Sequence, residues 1–329
     1  MMENPHNKKH VRSRTLLGAG LLALLGTLVL RNLSMLAPMP PQRWRWLAHR
    51  GVHQTFDLEG IDDETCTARR IRPLSHQFLE NTIPSMKAAF ETGAARVELD
   101  IHVSADGVPA VFHDATLDCR TDGTGTPESR TWAELKRLDL GHGYSADGGR
   151  TFPLRGAGVG LMPSLDDLLA AFPGRSFLIH FKTDRASDGD VVADRLARLD
   201  PEERARMWVY GGAKPCARLA ARLPAVRTFD RPQLKTCLVR YLLTGWLGYV
   251  PESCRHTVVL VPINHAGKLW GWPRRFESRL REAGSEVMLL GPTHRYISGI
   301  DDETMLARVP PDFGGMVWTN RIELLGGRR

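Results

Sequence analysis

Short apolar runs alternate with amphipathic segments along the chain after residue 45, and this alternation constrains the fold more than any other feature. The predicted strands are Trp46–His49, Arg96–Val103, Pro109–His113, Ser176–Phe181, Met207–Tyr210, Val226–Phe229, Thr257–Pro262, Glu286–Leu290 and Gly315–Thr319. The predicted helices are Thr82–Thr92, Ser164–Ala171, Asp188–Leu199, Ala213–Leu223 and Arg274–Ala283. Strands that alternate with helices pair in parallel, and about eight such units in roughly 280 residues predict a closed (β/α)8 barrel, the TIM barrel. In such a barrel the chemistry lies at the carboxyl ends of the strands.

The composition is that of an ordinary globular protein. Of 329 residues, 42% are hydrophobic and 25% are charged, which excludes a disordered chain, a collagen-like repeat and a disulfide miniprotein. The net charge of +7 favours anionic partners, such as a phosphate ester, a lipid surface or nucleic acid. The basic residues are scattered, with no run of five or more Lys or Arg, so we expect no nucleic-acid partner.

Residues 1–45 have the pattern of a membrane-targeting segment. The stretch Thr15–Leu30 is uncharged and almost wholly apolar, with basic residues before it and Arg31 after it. This pattern is typical of a secretory signal, but no clean cleavage site follows, so we favour an uncleaved signal anchor that ends in a stiff proline-rich spacer. The sequence thus predicts a tail, anchor helix and spacer over residues 1–45. Residues 46–329 would form the folded domain outside the cytoplasm, in the periplasm or the extracellular space.

The predicted strand Arg96–Val103 carries two acidic residues on one face. Side chains alternate along a strand, so Glu98, Asp100 and His102 share one side and the apolar residues between them share the other. Two carboxylates and an imidazole that face the interior would be very costly to bury unpaired. A divalent cation at the strand end removes this cost, because hard cations bind carboxylate oxygens. An exposed edge strand with a solvated polar face is the alternative.

Two histidines follow apolar strands near these carboxylates. The first predicted strand ends at His49. The pair Asp106-Gly107 marks a tight turn, so the run that follows should fold back as a hairpin and bring His113 to the same end of the barrel. A single histidine is more often structural than catalytic, but two beside a carboxylate pair indicate chemistry.

These residues resemble the glycerophosphodiester phosphodiesterase family, whose barrel is of the TIM type. The matching motifs are His49-Arg50-Gly51, Glu80-Asn81-Thr82, Glu98-Leu99-Asp100, Asp106-Gly107, His113-Asp114, Thr131-Trp132-Ala133-Glu134-Leu135, Pro163-Ser164-Leu165, Phe181-Lys182 and Trp318-Thr319-Asn320-Arg321. The resemblance covers about Trp46 to Leu325. It implies metal-dependent hydrolysis of glycerophosphodiesters to glycerol 3-phosphate and an alcohol.

The resemblance also implies roles for four side chains that would act on the substrate. His49 and His113 resemble the general acid and base pair, which suits imidazoles that titrate near neutrality. Arg50 and Lys182 resemble the cations that hold the phosphate, Arg bidentately and Lys as a point charge.

In the same way, Glu98 and Asp100 resemble the metal ligands, and Glu80 and Asn81 the polar wall beside the metal. One ligand position departs from the family, because His180 stands where the family usually has a glutamate. Imidazole favours transition metals over calcium. The sequence therefore predicts a divalent ion, Mg²⁺ or Ca²⁺ as the family implies, or Mn²⁺ because of His180.

A second departure is an insert of about 28 residues between Gly51 and Glu80, which we expect to form a loop over the barrel mouth. A passive surface excursion is the alternative. The insert contains Asp57, Asp62, Asp63, Glu64 and Cys66. We hypothesise a disulfide between Cys66 and Cys119 if the protein is exported, with unpaired buried thiols as the alternative.

One rival function depends on an aromatic and leucine-rich segment, Val239–Val250, with Leu269–Pro273 after it. It is too short to span a bilayer and is either a barrel helix or an apolar lip that contacts the membrane or a lipid tail. A lipid-tail groove would favour cleavage of lysolipid or sphingolipid headgroups, as in a lysophospholipase D or sphingomyelinase D. Loss of the third carboxylate, at His180, would instead favour a binding barrel without turnover. The sequence leaves the oligomeric state open.

Overall fold

The strands of the protein form one sheet. The computed structural model describes residues 23, 25–57, 59–61, 65–292 and 298–328. Its strands are β1 (Arg45–Ala48), β2 (Ala94–Val103), β3 (Pro109–Val111), β4 (Phe177–Phe181), β5 (Met207–Gly211), β6 (Arg227–Asp230), β7 (Val258–Pro262), β8 (Glu286–Leu290) and β9 (Met316–Thr319). Each coincides with a predicted strand, and no bound differs by more than two residues.

The strand order is β6-β5-β4-β2-β1-β9-β8-β7, and neighbouring strands along this path pair in parallel. The end strands β6 and β7 approach each other, and the Thr257 hydroxyl donates to the Thr228 carbonyl at 2.9 Å. Off this path, β3 pairs antiparallel with β2, which confirms the predicted hairpin. The fold is therefore mixed α/β, with a nearly closed eight-stranded parallel barrel that fits the TIM barrel.

Eleven numbered helices connect or flank the strands in the described part of the chain. They are α1 (Ile83–Glu91), α2 (Trp132–Leu135), α3 (Leu165–Ala171), α4 (Ala186–Leu196), α5 (Pro201–Ala205), α6 (Ala213–Arg222), α7 (Arg231–Thr244), α8 (Ile263–Ala266), α9 (Arg274–Glu282), α10 (Glu303–Leu306) and α11 (Ile322–Leu325). All five predicted helices are present. Capping boxes at Thr82 and Ser164 fix the starts of α1 and α3, because each side chain accepts a first-turn N–H that lacks a helical partner.

Alternation along the strands separates two apolar layers. Val97, Leu99 and Ile101 of β2 pack outward against the helices, whereas residues such as Leu178 and Trp208 fill the barrel interior. Glu98, Asp100 and His102 therefore lie on the inner face of a buried strand, as predicted, and not on a solvated edge.

A third apolar cluster, which the sequence analysis did not anticipate, joins the insert to the long connection between β3 and α3. Ala68 and Ile71 of the insert pack with Leu117, Tyr144 and their neighbours. A disulfide between Cys66 and Cys119 links the same two segments, which confirms the hypothesised pairing. The insert is thus a packed part of the mouth. Four of its residues, Leu58, Asp62, Asp63 and Glu64, lie outside the described residues.

Most of the predicted anchor lies outside the described part of the chain, which includes only residue 23 and residues 25–30 of Thr15–Leu30. Residues 25–32 are helical. Within the described residues, no helix has both the length and the apolar character that crossing a membrane requires.

Candidate active site

Polar side chains replace apolar ones on the inner face of the barrel toward the carboxyl ends of the strands. On β4, Leu178 is followed two positions later by His180, and on β5, Trp208 is followed by Tyr210. Asp100 on β2 is level with His180. The barrel interior is therefore filled by apolar side chains toward the amino ends of the strands. It is polar at the mouth, where the chemistry of such barrels is expected.

His49 reaches this mouth through a sharp turn after β1. Its N–H donates to Thr319 at 3.0 Å, which continues the β1–β9 pairing by one residue. Arg50 and Gly51 then adopt positive φ values of 55° and 80°. A Cβ on Gly51 would lie 2.8 Å from the Ser85 carbonyl carbon, so only glycine allows α1 to approach the turn this closely.

Three side chains form a cluster able to hold a metal ion. Ligand atoms of Glu98, Asp100 and His180 all lie within 4.8 Å of one another, and the ring of His180 stacks on Tyr210 with centroids 4.1 Å apart. Glu98 is fully buried, and its Oε1 accepts the Tyr210 hydroxyl at 2.8 Å.

The other carboxylate oxygen of this cluster has no hydrogen-bond partner. Glu98 Oε2 is buried without one, and His49 Nε2 lies 3.7 Å away. An orphaned buried carboxylate oxygen beside a second carboxylate and an imidazole is a donor set that fits a divalent cation. The predicted ligands are therefore brought together.

Asp100 is surrounded by donors. Asn81 Nδ2 donates to its Oδ2 at 3.1 Å, and Arg50 Nε lies 3.2 Å from the same oxygen. Lys182 Nζ lies 3.5 Å from Oδ1, and His180 Nδ1 lies 2.8 Å from it. The two cations predicted to hold phosphate thus converge on one side of the acidic pair.

The pKa values of the two carboxylates, Glu98 and Asp100, are shifted in opposite directions. Burial and the neighbouring Asp100 raise the pKa of Glu98 well above its usual range. Burial also acts to raise the pKa of Asp100, but Lys182 and Arg50, together with other neighbours, outweigh burial and hold this pKa well below its usual range. The pair therefore favours one negative charge in the absence of a bound cation.

His113 reaches the mouth beyond the end of β3, which stops at Val111 and not at His113 as predicted. The preceding residue, Phe112, donates its backbone N–H to the Asp100 carbonyl at 3.0 Å. The Nδ1 atom of His113 lies 2.8 Å from Asp114 Oδ1. With Nδ1 as the donor, this contact leaves Nε2 free to exchange a proton.

Arg120 connects the two ends of the site. Its Nε and Nη2 donate to the two carboxylate oxygens of Asp114 at 3.0 and 3.1 Å, and its Nη1 donates to Glu80 Oε2 at 2.8 Å. The other oxygen of Glu80 accepts Arg50 Nη1 at 3.0 Å. Glu80 is therefore a bridge between two arginines, which gives the predicted polar wall a physical role.

Both catalytic candidates have depressed pKa values. Burial, and then the positive charges of Arg50 and of His53 when protonated, lower the pKa of His49 well below its usual range. Burial and Arg50 lower the pKa of His113 to about 4. The lowered pKa values favour the neutral form of both imidazoles, which can accept a proton.

Sequence reasoning did not assign roles to Arg120, Tyr210 and Asn320. The Oδ1 atom of Asn320 lies 2.6 Å from His49 Nδ1, and its Nδ2 donates to Asp301 at 2.8 Å, which orients the His49 ring. Asn320 lies in the family motif at the end of β9, so its position was a usable signal. No local signal indicated the contact of Arg120 with Glu80 or of Tyr210 with Glu98, because these partners are distant along the chain.

A family model matches the central part of the chain. Residues 72–198 match the model of the Glycerophosphoryl diester phosphodiesterase family. This segment contains Glu80, Asp100, His113 and Lys182. This part of the chain is therefore similar to the glycerophosphoryl diester phosphodiesterase family.

Curated relatives of the family match over a shorter stretch. Glycerophosphodiester phosphodiesterase 1 from Bos taurus is 43% identical over 65 residues, which is 20% of each chain. A glycerophosphodiester phosphodiesterase from Caldanaerobacter subterraneus is 45% identical over 62 residues, 19% of this chain and 26% of the relative. The match thus spans about a fifth to a quarter of the length of these relatives.

Solved structures of the family share the fold over most of the chain. A glycerophosphodiester phosphodiesterase from Agrobacterium tumefaciens has a TM-score of 0.54 at 23% identity, covering 86% of this chain and 99% of its own. The family domain of an uncharacterized Mycobacterium tuberculosis protein has a TM-score of 0.58 at 16% identity, covering 87% and 98%. An Oleispira antarctica phosphodiesterase, solved with its product sn-glycerol-3-phosphate, has a TM-score of 0.53 at 18% identity, covering 88% and 96%.

Proposed function

We propose that the protein is a metal-dependent glycerophosphodiester phosphodiesterase that releases glycerol 3-phosphate and an alcohol. The observation that carries this proposal is the convergence of His49 and His113 on one buried acidic pair, Glu98 and Asp100. The family match and the product bound to the Oleispira antarctica neighbour support the same substrate class.

The charges of the site suit a phosphodiester monoanion. Four carboxylates (Glu80, Glu98, Asp100 and Asp114) face three cationic side chains (Arg50, Arg120 and Lys182). With all of them ionised, one bound divalent cation would leave a single positive charge. Glu98, Asp100 and His180 would hold that cation, which when bound draws charge from the non-bridging phosphate oxygens and lowers their repulsion of a nucleophile.

The protons move through the two imidazoles. One neutral imidazole takes the proton from the attacking oxygen at Nε2 and becomes an imidazolium. The other must first be protonated at Nε2, and it gives that proton to the leaving alkoxide and becomes neutral. Asn320 and Asp114 fix the two rings through their Nδ1 atoms, so both transfers use Nε2. To hold the phosphate, Arg50 and Lys182 exchange some of their contacts with the carboxylates for contacts with the phosphate oxygens. Attack by water and attack by a hydroxyl of the substrate, which gives a cyclic phosphate first, use the same groups.

The reaction is tested with the full chain in detergent. Glycerophosphocholine, lysophosphatidylcholine and sphingomyelin are offered with EDTA, Mg²⁺, Ca²⁺ or Mn²⁺, and glycerol 3-phosphate and choline are measured. We expect turnover of glycerophosphocholine with metal, its loss in EDTA, and its loss in His49→Ala and His113→Ala with the circular dichroism unchanged. His142→Ala, at a half-exposed surface histidine, is the control. Turnover of only the lipid substrates would favour the headgroup-cleaving alternative, and binding without turnover would favour the inactive barrel.

We propose in addition that His180 shifts the metal preference toward Mn²⁺. An imidazole ligand favours transition ions, whereas a third carboxylate favours Mg²⁺ and Ca²⁺. His180→Glu should therefore raise the affinity for Ca²⁺ and lower the ratio of Mn²⁺ to Ca²⁺ affinity by roughly tenfold, as measured by calorimetric titration. An unchanged ratio would remove His180 from the ligand set.

We infer that residues 1–45 anchor the protein in a membrane and that residues 46–329 lie on the extracytoplasmic side. The disulfides Cys66–Cys119 and Cys237–Cys254 support this location, since disulfides persist in oxidising compartments. Proteolysis of intact spheroplasts or cells is the test. A domain protected until the membrane is broken would contradict the inference.

A further inference from the structure

Exposed apolar side chains of this protein are concentrated in two segments. In the described part of the chain, 17 large apolar residues are exposed, and 14 of them lie either in residues 25–39 or in residues 239–270. The second group includes Val239, Leu242, Leu243, Trp246, Leu247 and Tyr249, which we call the α7 face. The opposite side of the same helix buries Cys237 and Tyr241. The apolar side chains of the α7 face therefore remain in contact with solvent and do not pack into the core of the barrel.

The α7 face adjoins the N-terminal segment. Asn32 donates through Nδ2 to the Trp246 carbonyl at 2.7 Å. Buried Arg279 of α9 donates to the Arg31 carbonyl at 2.8 Å and to the Gly245 carbonyl at 2.9 Å. Arg31 and Asn32, which make these contacts, directly follow the apolar stretch Thr15–Leu30 in the sequence, so the chain leaves that stretch beside the α7 face.

The charged residues of α7 itself and of the turn after it are all basic. Residues 231–250 contain Arg231, Lys235 and Arg240 and no acidic residue. Lys235 lies one helical turn before Val239, and both Lys235 and Arg240 are exposed. Trp270, 43% exposed, extends the apolar surface, and its Nε1 donates to the Leu242 carbonyl at 2.9 Å. Exposed Trp and Tyr beside Leu and basic side chains are the composition of an interfacial membrane-binding surface.

We propose that the α7 face docks on an anionic lipid bilayer, as a second membrane contact beside the N-terminal segment. The occupant is a bilayer because the face continues an apolar stretch with the composition of a membrane anchor. It is anionic because residues 231–250 carry Lys235 and Arg240 and no carboxylate side chain. Docking does not depend on the chemistry at the mouth.

The topology sets the orientation of the docked barrel. Helix α7 begins after Asp230, at the carboxyl end of β6, so its C-terminal half runs toward the amino ends of the strands. Residues 37–44 lead to the amino end of β1 on the same side. The site at the carboxyl ends would therefore open away from the bilayer, toward water.

The test uses the full chain in vesicles and a fluorescent label at one added thiol. The variants are Leu243→Cys on the α7 face and, as matched control, Val159→Cys, a similarly exposed apolar position in the connection between β3 and α3, which we call the mouth loops. The native thiol Cys216 is buried and the other four cysteines are paired, so the added thiol is the accessible one. An environment-sensitive NBD label is read in phosphatidylcholine vesicles with and without phosphatidylserine, with doxyl-labelled lipid as quencher.

We expect a blue shift and lipid quenching at position 243 in the phosphatidylserine vesicles, with little of either at position 159. Lys235→Glu combined with Arg240→Glu should weaken the quenching, whereas Lys136→Glu combined with Arg137→Glu in the mouth loops should not. Quenching at 159 but not at 243 would overturn the proposal by reversing the orientation. Equal quenching with and without phosphatidylserine would overturn the anionic assignment. No quenching at 243 together with bismaleimide cross-linking of two 243 thiols would assign the face to a second copy of the chain.

Discussion

At the scale of single residues, the orientation of His113 depends on a run of charged side chains. Its ring contacts Asp114, Asp114 is held at both oxygens by Arg120, and Arg120 also binds Glu80. Burial alone would raise the pKa of Asp114, but the Arg120 guanidinium outweighs burial and holds this pKa well below its usual range. Asp114 is therefore a charged positioning residue for the imidazole.

Asp114→Asn tests this positioning role. The amide cannot favour one ring tautomer of His113 as the carboxylate does, so we expect kcat to fall about 100-fold or more while KM changes little. Asp118→Asn, at an exposed position in the same loop, is the matched control and should retain activity. A rise of KM with kcat unchanged would mean that Asp114 contributes to substrate binding instead.

At the scale of secondary-structure elements, helix α9 contains a buried acid that opposes folding at neutral pH. Glu277 is 5% exposed and accepts the backbone N–H of Gly314. Burial raises the pKa of Glu277 to about 7, with Asp312 and Glu286 adding to the increase and Arg281 opposing it. Because the pKa is raised in the folded state, Glu277 contributes stability below its unfolded pKa. That contribution is lost as the pH rises through about 7.

Glu277→Gln should therefore stabilise the protein above pH 7. The amide can still accept from Gly314 and has no charge to bury, so we expect the free energy of unfolding to rise by about 2 kcal/mol at pH 8 and to change little at pH 5. Denaturant titration at the two pH values measures this difference. Glu91→Gln, at an exposed helix end, serves as control. Equal effects at both pH values would contradict a titrating Glu277.

At the scale of the whole molecule, the two disulfides close loops of different length, and we expect their removal to have different effects on stability and activity. Cys66–Cys119 closes 53 residues and joins the insert to the mouth, whereas Cys237–Cys254 closes 17 residues next to α7. Thr67, directly after Cys66, accepts Arg120 Nη2 at 3.0 Å, and Arg120 directly follows Cys119. The first disulfide thus holds the residues that orient the site.

Paired serine variants separate stability from activity. Cys66→Ser with Cys119→Ser should cost about 4 kcal/mol and Cys237→Ser with Cys254→Ser about 3 kcal/mol, if the loss follows the entropy of loop closure. Below both melting temperatures, we expect only the first pair to lower kcat, because only that pair releases Arg120. Melting curves and initial rates check both effects. Equal kcat values for the two variants would mean that the disulfide of the insert does not influence the site.

The sequence by itself determined the barrel strands, the inner face of β2 and the positions of His49 and His113, because these follow from side-chain alternation and from local turns. The resemblance added the phosphate-binding roles that we expect for Arg50 and Lys182. Only the tertiary structure decided the packing of the insert, the contacts of Arg120 and Tyr210, and the exposure of the α7 face. These depend on contacts between segments far apart in the chain. Local periodicity does not encode such contacts, since the same leucine can face a core, a partner or solvent.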